Sequence, residues 1–145
     1  MDNSITSLGL MSGTSLDGID ASIINSDGKS HLEVKANDFY QYKSEFRQKL
    51  RDYIKNINSL EDIENSITEY KNLEKEITLL HSDISKKIIS KQTIEVDLVG
   101  FHGQTIIHKP KKKYSIQMGN PNLLSQLIQK KVIFNFRKND IVNNG

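Results

Sequence analysis

The sequence contains 145 residues, of which 36% are hydrophobic and 26% charged, so it predicts one globular domain that is long enough to bury a core. Because 20 basic residues nearly balance 18 acidic ones, the net charge of +2 provides no broad basic field for holding nucleic acid. The absence of cysteine excludes disulfides and thiol-ligated metals, and without a membrane-length apolar run or a secretory leader the expected compartment is the cytoplasm.

The first forty residues predict three antiparallel strands. An apolar run predicts a strand over Ile5–Ser12, and a second strand is predicted over Ile19–Asn25. Turn-forming residues at Asn25–Gly28 separate it from His31–Tyr40, where apolar and polar residues alternate. That alternation predicts one buried face and one wet face for the third strand.

Two helices are predicted between residues 43 and 90. Apolar residues share one helical face over Lys43–Ile57, which indicates a surface helix packed on a sheet. Ser59 has the position of an N-cap, and an apolar stripe then predicts one long helix that ends at Ser90. Because the stripe slips by three residues between Tyr70 and Ile77, it favours packing within the domain over a coiled coil.

The remaining residues predict a central strand, a hairpin, a helix and a last strand. Asn120 and Pro121 are typical of a helix cap followed by the first helical residue. The lysine-rich Lys109–Lys113 is interpreted as a solvated hairpin turn rather than a nucleic-acid patch. The predicted segments are Glu95–Phe101, Gln104–Lys109 paired with Tyr114–Met118, residues 121–130 and Val132–Phe136. Together with the opening strands, they predict an α/β fold with a mixed sheet and flanking helices.

The turn between the first two strands is the strongest candidate for a binding site. Glycine reaches positive φ without strain, so Gly13 and Gly18 can bracket a tight loop whose amides and hydroxyls converge on one point. Such donors suit phosphate oxygens, and Asp17 is compatible with phosphate if Mg²⁺ lies between them. The alternative is an ordinary hairpin turn, and spacing alone does not decide between the two, since the loop is neither a P-loop nor a GxGxxG motif.

Four motifs in order resemble those of the anhydro-N-acetylmuramic acid kinases. They are GLMSGTSLDGIDA at residues 9–21, GFHGQTIIHKP at 100–110, IQMGNP at 116–121 and FRKND at 136–140. The resemblance implies the N-terminal lobe of a ribonuclease-H-like, actin-like fold. It also implies an ATP-dependent kinase that opens 1,6-anhydro-N-acetylmuramic acid with water while phosphorylating it to N-acetylmuramic acid 6-phosphate, a step of peptidoglycan recycling.

The resemblance also implies which residues bind ATP and Mg²⁺. The metal is expected at Asp17, and no catalytic base is expected within the chain. The nucleotide-binding residues implied are Gly13, Thr14, Ser15, Leu16, Asp17, Gly18, Ile19 and Asp20.

On the substrate side, the resemblance implies His102, Gln104, Arg137 and Asp140. His102 follows a predicted buried strand, where polar side chains meet ligands, although a histidine merely hydrogen-bonded at a strand end is the alternative. Arg137 is suited to clamp a carboxylate such as the lactyl acid of a muramic sugar, with a surface ion pair to Asp140 as the alternative. His102 and His108 do not predict a zinc site, because no cysteine or nearby acid completes a ligand set.

The sequence departs from the family pattern towards its end. Asn120 and Asn135 stand where the family usually has Asp, and Asn143-Asn144 replaces an Ala-Gly step. The family's general base, its adenosine pocket and its second lobe are expected beyond Gly145. We therefore expect residues 1–145 to form the N-terminal lobe, without the second lobe and inactive alone, with a homodimer or a complementing second-lobe chain as partner. The alternative is a catalytically dead remnant or a stand-alone phosphate- or sugar-binding module.

Overall fold

A computed structural model describes residues 4–143 and contains six strands and five helices in that range. The strands are β1 (Ile5–Ser12), β2 (Gly18–Ser26), β3 (Leu32–Gln41), β4 (Leu98–Lys109), β5 (Tyr114–Met118) and β6 (Lys131–Ile133). The helices are α1 (Ser44–Lys55), α2 (Leu60–Asn65), α3 (Ile67–Ser90), α4 (Pro121–Ile128) and α5 (Phe136–Val142), with a 3₁₀ turn at Pro110–Lys112.

All six strands form one mixed sheet. Strands β1, β2 and β3 form the predicted antiparallel meander, and β4 pairs parallel to β1 on its other side. Strand β4 is long enough to carry two partners along its far edge, since β6 pairs parallel to its first residues and β5 pairs antiparallel to its last residues. This mixed sheet with flanking helices is consistent with the N-terminal lobe of an actin-like fold and confirms the predicted fold class.

Helices α1 to α4 cover one face of the sheet, whereas Phe136 at the start of α5 lies over Gly100 on the other face. Leu8 and Leu10 of β1 are buried in the same apolar cluster as Leu73 and Ile77 of α3. The alternate residues of β1 point the other way, and Met11 among them is exposed. On β3 the predicted alternation holds only from Ala36 onwards. The apolar residues of its first half, Leu32 and Val34, are exposed at 66% and 55%, so the prediction of one buried face is wrong there.

The long helix predicted from Ser59 is interrupted at Ser66. The predicted cap is present, because the Ser59 hydroxyl accepts from the backbone of Asp62 and the Asp62 carboxylate accepts from the backbone of Ser59. The Ser66 hydroxyl then donates to the Asp62 carbonyl at 2.6 Å. A side chain that binds a backbone carbonyl in this way competes with helix continuation, so α2 ends there and α3 starts one residue later.

The two strands predicted around His102 are one continuous strand with a bulge. Leu10 is paired with Phe101 and Ser12 with Gln104, so two residues of β4 lie opposite one residue of β1. Gly103 takes the left-handed φ of +73° that the bulge requires. The prediction that a strand ends before His102 is therefore wrong, because the bulge at Gly103 allows β4 to bend without ending.

The chain near Asn135 also differs from the prediction. The last strand ends at Ile133, two residues before Asn135 adopts a left-handed φ of 65° and α5 begins. Arg137 therefore lies on a helix rather than in a loop after a strand. Asn144, one of the residues that differ from the family pattern, lies outside the described residues. Gly145 also lies outside them. None of the described helices is long and apolar enough to cross a membrane.

Helix α3 carries a histidine in the middle of the core. His81 is fully buried, and its ring meets the ring of Phe101 edge-on with 5.0 Å between centroids. Burial is the largest cause that lowers the pKa of His81 to about 4, with a smaller contribution from the charge of His102 and an opposing one from the Ile77 carbonyl. The imidazole is therefore neutral at physiological pH.

We expect replacement of Gly103 by alanine to destabilise the fold and disturb the bulge. A Cβ at position 103 would lie 2.6 Å from the Met118 carbonyl oxygen, in addition to the strain of the positive φ. Gly28 is the matched control, because it has a φ of +71° and open space around its Cβ position. Chemical denaturation should show a loss of roughly 1–2 kcal/mol for Gly28→Ala and a further loss of about 1–3 kcal/mol for Gly103→Ala. Equal losses for the two variants would contradict the close approach to Met118.

We expect His81 to resist protonation in the folded protein well below the ordinary histidine range. Since its folded pKa lies below that of the unfolded chain, the unfolded state binds the extra proton first. The contribution of neutral, buried His81 to the free energy of unfolding is therefore complete above about pH 6.5. This contribution is lost at about 1.4 kcal/mol per pH unit as the pH falls towards 4. A proton NMR titration should show the His81 ring signals unchanged from pH 8 to about 5. Titration of these signals near pH 6.5 would contradict the burial described.

Candidate functional site

The loop Gly13–Asp17 joins β1 to β2 and is held in a strained turn. The Leu16 amide donates to the Gly13 carbonyl at 3.4 Å, and Leu16 has a left-handed φ of 54°. The expectation that Gly13 and Gly18 supply the positive φ is therefore wrong, because Leu16 does so while its side chain is buried in the core. An L-residue pays roughly 1–2 kcal/mol for this conformation, and the burial of Leu16 offsets that cost.

Gly18 has a different role from the one predicted. A Cβ at this position would lie 2.3 Å from the Tyr40 carbonyl oxygen and 2.8 Å from the Phe39 ring. Its missing side chain allows β3 to lie close against the start of β2. Gly18 therefore fixes the exit of the loop through close packing, without a positive φ.

The mouth of the Gly13–Asp17 loop is rich in donors. Thr14 and Ser15 are exposed, and their backbone amides make no hydrogen bond within residues 4–143. The Ser15 hydroxyl donates to the Asp17 carboxylate at 2.5 Å, and Arg47 donates to the Ser15 carbonyl at 3.3 Å. The loop therefore presents two free amides beside an acid.

Asp17 is ionised at neutral pH. The hydrogen bond from Ser15 is the largest cause that lowers the pKa of Asp17, and the positive charge of Arg47 also contributes. The carboxylate is solvated, so it remains available to a cation. The other two residues predicted to contact the nucleotide lie outside the loop, on β2. Ile19 is buried in the core, and Asp20 is an exposed residue paired with Met11.

His102 and Arg137 come together at the bulge of β4. The Nδ1 atom of His102 lies 2.9 Å from the Gly103 carbonyl oxygen, which can only accept, so Nδ1 carries the proton. The Nε2 atom is then the acceptor for Arg137 Nε at 3.2 Å. A shallow cleft surrounds this pair, lined also by Phe101, Gln117, Gly119 and Phe136.

This contact orients the Arg137 guanidinium. Its Nε–H is directed to His102, and the guanidinium makes no other hydrogen bond or ion pair within the described range 4–143. The two terminal Nη groups are therefore available to bind an anion end-on. His102 is placed to position Arg137 as well as to line the cleft.

The other two residues predicted on the substrate side lie elsewhere. Gln104 is fully buried, and its side-chain amide donates to the Gly13 carbonyl at 2.7 Å, so it lies behind the Gly13–Asp17 loop rather than in the cleft. Asp140 is exposed on α5, and no ion pair joins it to Arg137 in the part of the chain that the structure describes. The structure thus brings together His102 and Arg137 but neither Gln104 nor Asp140 with them.

Three buried polar residues near the loop were not predicted. Ser12 lies 3.1 Å from His81 Nε2, and the Tyr42 hydroxyl donates to Ser12 Oγ at 3.0 Å. These residues come from β1, α3 and the segment after β3, so no local motif links them. The sequence signal available for them is weak, since His81 is one of several polar residues that are buried on α3, with Thr78, Ser82 and Ser85.

Comparison with known proteins agrees with the motifs. A family model described as anhydro-N-acetylmuramic acid kinase matches residues 5–145. The anhydro-N-acetylmuramic acid kinase of Pelagibacter ubique (strain HTCC1062) is 48% identical over 145 residues, which are 100% of this chain and 39% of the relative. The protein of the same name from Rhizobium etli is 34% identical over 148 residues, covering 100% of this chain and 40% of the relative. The protein of the same name from Brucella canis is 32% identical over 141 residues, which are 95% of this chain and 38% of the relative.

The chain therefore spans about 40% of the length of the curated relatives it matches. Because the family match extends from the first strand through the Gly13–Asp17 loop, the bulge and α5, this chain belongs to the anhydro-N-acetylmuramic acid kinase family.

Proposed function

We propose that this chain is the N-terminal lobe of an ATP-dependent kinase that hydrolyses and phosphorylates 1,6-anhydro-N-acetylmuramic acid in the cytoplasm. The observation that carries the proposal is the Gly13–Asp17 loop, in which two unpaired amides lie beside an ionised carboxylate. Family membership supports the type of reaction, and the geometry supports a division of the described residues into a phosphate side and a sugar side.

The loop fits a magnesium-bound triphosphate. The amides of Thr14 and Ser15 are free to bind phosphate oxygens, and their exposed positions leave room for a ligand. Asp17 would bind Mg²⁺, which usually takes one or two carboxylates in proteins and completes its shell with phosphate oxygens and water. No group of three or more acidic or histidine side chains suited to a metal occurs in residues 4–143, so phosphate and water would supply the other ligands.

The cleft at the bulge has a volume of about 30 Å³, so it admits a small polar group of the sugar while the ring lies outside it. We assign the carboxylate of the lactyl group to the terminal nitrogens of Arg137, with His102 holding the guanidinium by its Nε–H. The loop follows the end of β1, and the bulge that carries the cleft lies beside it within β4, because Ser12 and Gln104 are paired across the two strands. Ligands of open α/β sheets bind beyond strand ends of this kind.

Phosphoryl transfer with ring opening also needs a base on the attacking water. We place that base and the second lobe in the part of the relatives' length that this chain does not cover. The sheet face opposite α1 to α4 supports this assignment, because it exposes a group of large apolar side chains. They are Ile5, Met11, Leu32, Val34, Phe39 and Ile133. A second-lobe chain or another copy of this chain would bury such a surface.

A stand-alone phosphate- or sugar-binding module is the second candidate. The free amides of Thr14 and Ser15 and the free terminal nitrogens of Arg137 favour it, since these groups can bind ligands without a base. This candidate retains the Gly13–Asp17 loop and the cleft as binding sites and differs only in that no phosphoryl transfer follows.

The test of the nucleotide assignment is Asp17→Asn in titration calorimetry with ATP. In the presence of Mg²⁺, we expect the affinity to fall at least tenfold, about 1.4 kcal/mol, because the neutral amide is a poor metal ligand. With Mg²⁺ removed by EDTA, the variant should bind ATP at least as well as the original chain, because the carboxylate no longer repels the phosphates.

The matched control is Asp83→Asn. Asp83 is exposed on α3 and makes no hydrogen bond or ion pair within residues 4–143, so the same charge is removed away from the loop. This variant should bind ATP as the original chain does, with and without Mg²⁺. Equal losses for the two variants, or unchanged affinity of Asp17→Asn for Mg·ATP, would contradict a metal at Asp17.

We also expect no kinase activity from the 145-residue chain alone. Incubation with Mg·ATP and the anhydrosugar should yield no N-acetylmuramic acid 6-phosphate above the enzyme-free control, as measured by mass spectrometry. Addition of a polypeptide that covers the remaining length of the Pelagibacter ubique relative should restore turnover if the lobes assemble. Phosphorylation by the chain alone would show that a base is already present within it.

A further inference from the structure

A buried chain of hydrogen bonds lies directly beneath the Gly13–Asp17 loop. It joins Tyr42, Ser12 and His81, and the Tyr42 hydroxyl also lies 3.4 Å from Gln104 Oε1. Ser12, His81 and Gln104 have no exposed surface and Tyr42 has 6%. These four residues come from four different segments of the fold, so the chain connects the base of the loop to the centre of the domain.

The hydrogen bonds have one consistent direction. His81 Nδ1 lies 2.8 Å from the Ile77 carbonyl oxygen, which only accepts, so Nδ1 carries the proton and Nε2 is an acceptor. Ser12 must then donate to His81, and its oxygen is free to accept from Tyr42. Because each hydroxyl has one proton, the orientation of His81 determines the orientation of the next two groups.

Gln104 joins this chain through the one Tyr42 hydroxyl proton, which Ser12 Oγ at 3.0 Å and Gln104 Oε1 at 3.4 Å share, so the link to Gln104 is the longer of the two. Its Nε2 atom lies 2.7 Å from the Gly13 carbonyl oxygen and 3.2 Å from its neighbour's carbonyl at Thr105, so the amide nitrogen faces two acceptors and Oε1 faces Tyr42. The Gly13 carbonyl is thereby directed into the protein. In a trans peptide the next N–H points the opposite way, and the Thr14 amide is directed outwards.

We propose that Tyr42, Ser12, His81 and Gln104 are positioning residues that orient the Gly13–Thr14 peptide so that its amide faces the phosphate of a nucleotide. This inference rests on the proposed function of the loop. A buried polar network whose members are hydrogen-bonded rigidifies the groups that it contacts, here the Gly13–Thr14 peptide. None of the four residues needs to touch the nucleotide.

Tyr42→Phe is the informative variant. It removes the hydroxyl and keeps the ring that packs edge-on against Phe46 with 5.0 Å between centroids. Tyr53→Phe is the matched control, because it removes a hydroxyl that bonds Ser66 Oγ at 3.1 Å between α1 and α2, away from the loop. Gln104→Leu is a second variant that removes the contact to Gly13 without changing the chain of hydroxyls.

Two measurements on the 145-residue chain separate the loop from its ligand. In the free protein, nitrogen relaxation should show rigid amides at Thr14 and Ser15, with order parameters of about 0.85 that fall towards 0.6 in Tyr42→Phe and Gln104→Leu. The affinity for Mg·ATP should fall about tenfold in the same variants. Tyr53→Phe should leave both quantities unchanged even where its melting temperature falls equally.

The outcomes distinguish the two proposals. One outcome is that the order parameters of the loop amides fall in Tyr42→Phe or Gln104→Leu, while neither the original protein nor any variant binds Mg·ATP. The proposed nucleotide binding is then wrong, and the proposal that these residues orient the loop stands. If the original chain binds Mg·ATP and both variants match Tyr53→Phe in order parameters and in affinity, the positioning role is overturned while the nucleotide function stands. A double variant that is no worse than either single one would show that the residues act as one unit.

Discussion

Parallel pairing between β1 and β4 is the constraint on which the candidate site depends. It places Ser12, the last residue of β1, beside Gln104, so the Gly13–Asp17 loop begins next to the bulge that carries His102. The two strands are separated by more than eighty residues of chain, and the helices between them form the crossover and the cover of one sheet face. The loop and the cleft, the proposed phosphate and sugar sites, are neighbours because of this register.

The sequence was sufficient for the meander, most helices and the position of the loop, but not for the break between α2 and α3, for α5 or for the side-chain contacts. Alternation and turn residues identify the meander, and the caps at Ser59 and Asn120 are local patterns that the structure confirms. The break at Ser66 was missed because its cause is one hydroxyl that bonds a carbonyl, while the apolar stripe runs on unchanged.

The site itself shows the same division. Motifs place Asp17, His102 and Arg137 in conspicuous local patterns, whereas the separation of Gln104 from His102 follows from the bulge, which turns two nearby residues to different surroundings. Asn135 gave a similar error, since only its left-handed conformation shows that a helix starts after it. The periodicity of apolar residues predicts which face of an element is buried. It does not predict where a single residue turns the backbone.

The distribution of charge explains how a buried polar support is compatible with an ionised loop. Burial raises the pKa of Tyr42 to about 12, with the charge of Asp17 adding to that effect, and lowers the pKa of His81 to about 4. Both groups therefore keep the same protons across physiological pH, and the hydrogen bonds between them keep their direction. The charge that the loop itself carries, on Asp17, is solvated where a cation can reach it. Since a buried unpaired charge would cost several kcal/mol, a neutral support beneath a charged rim is the arrangement that allows the loop to be both rigid and acidic.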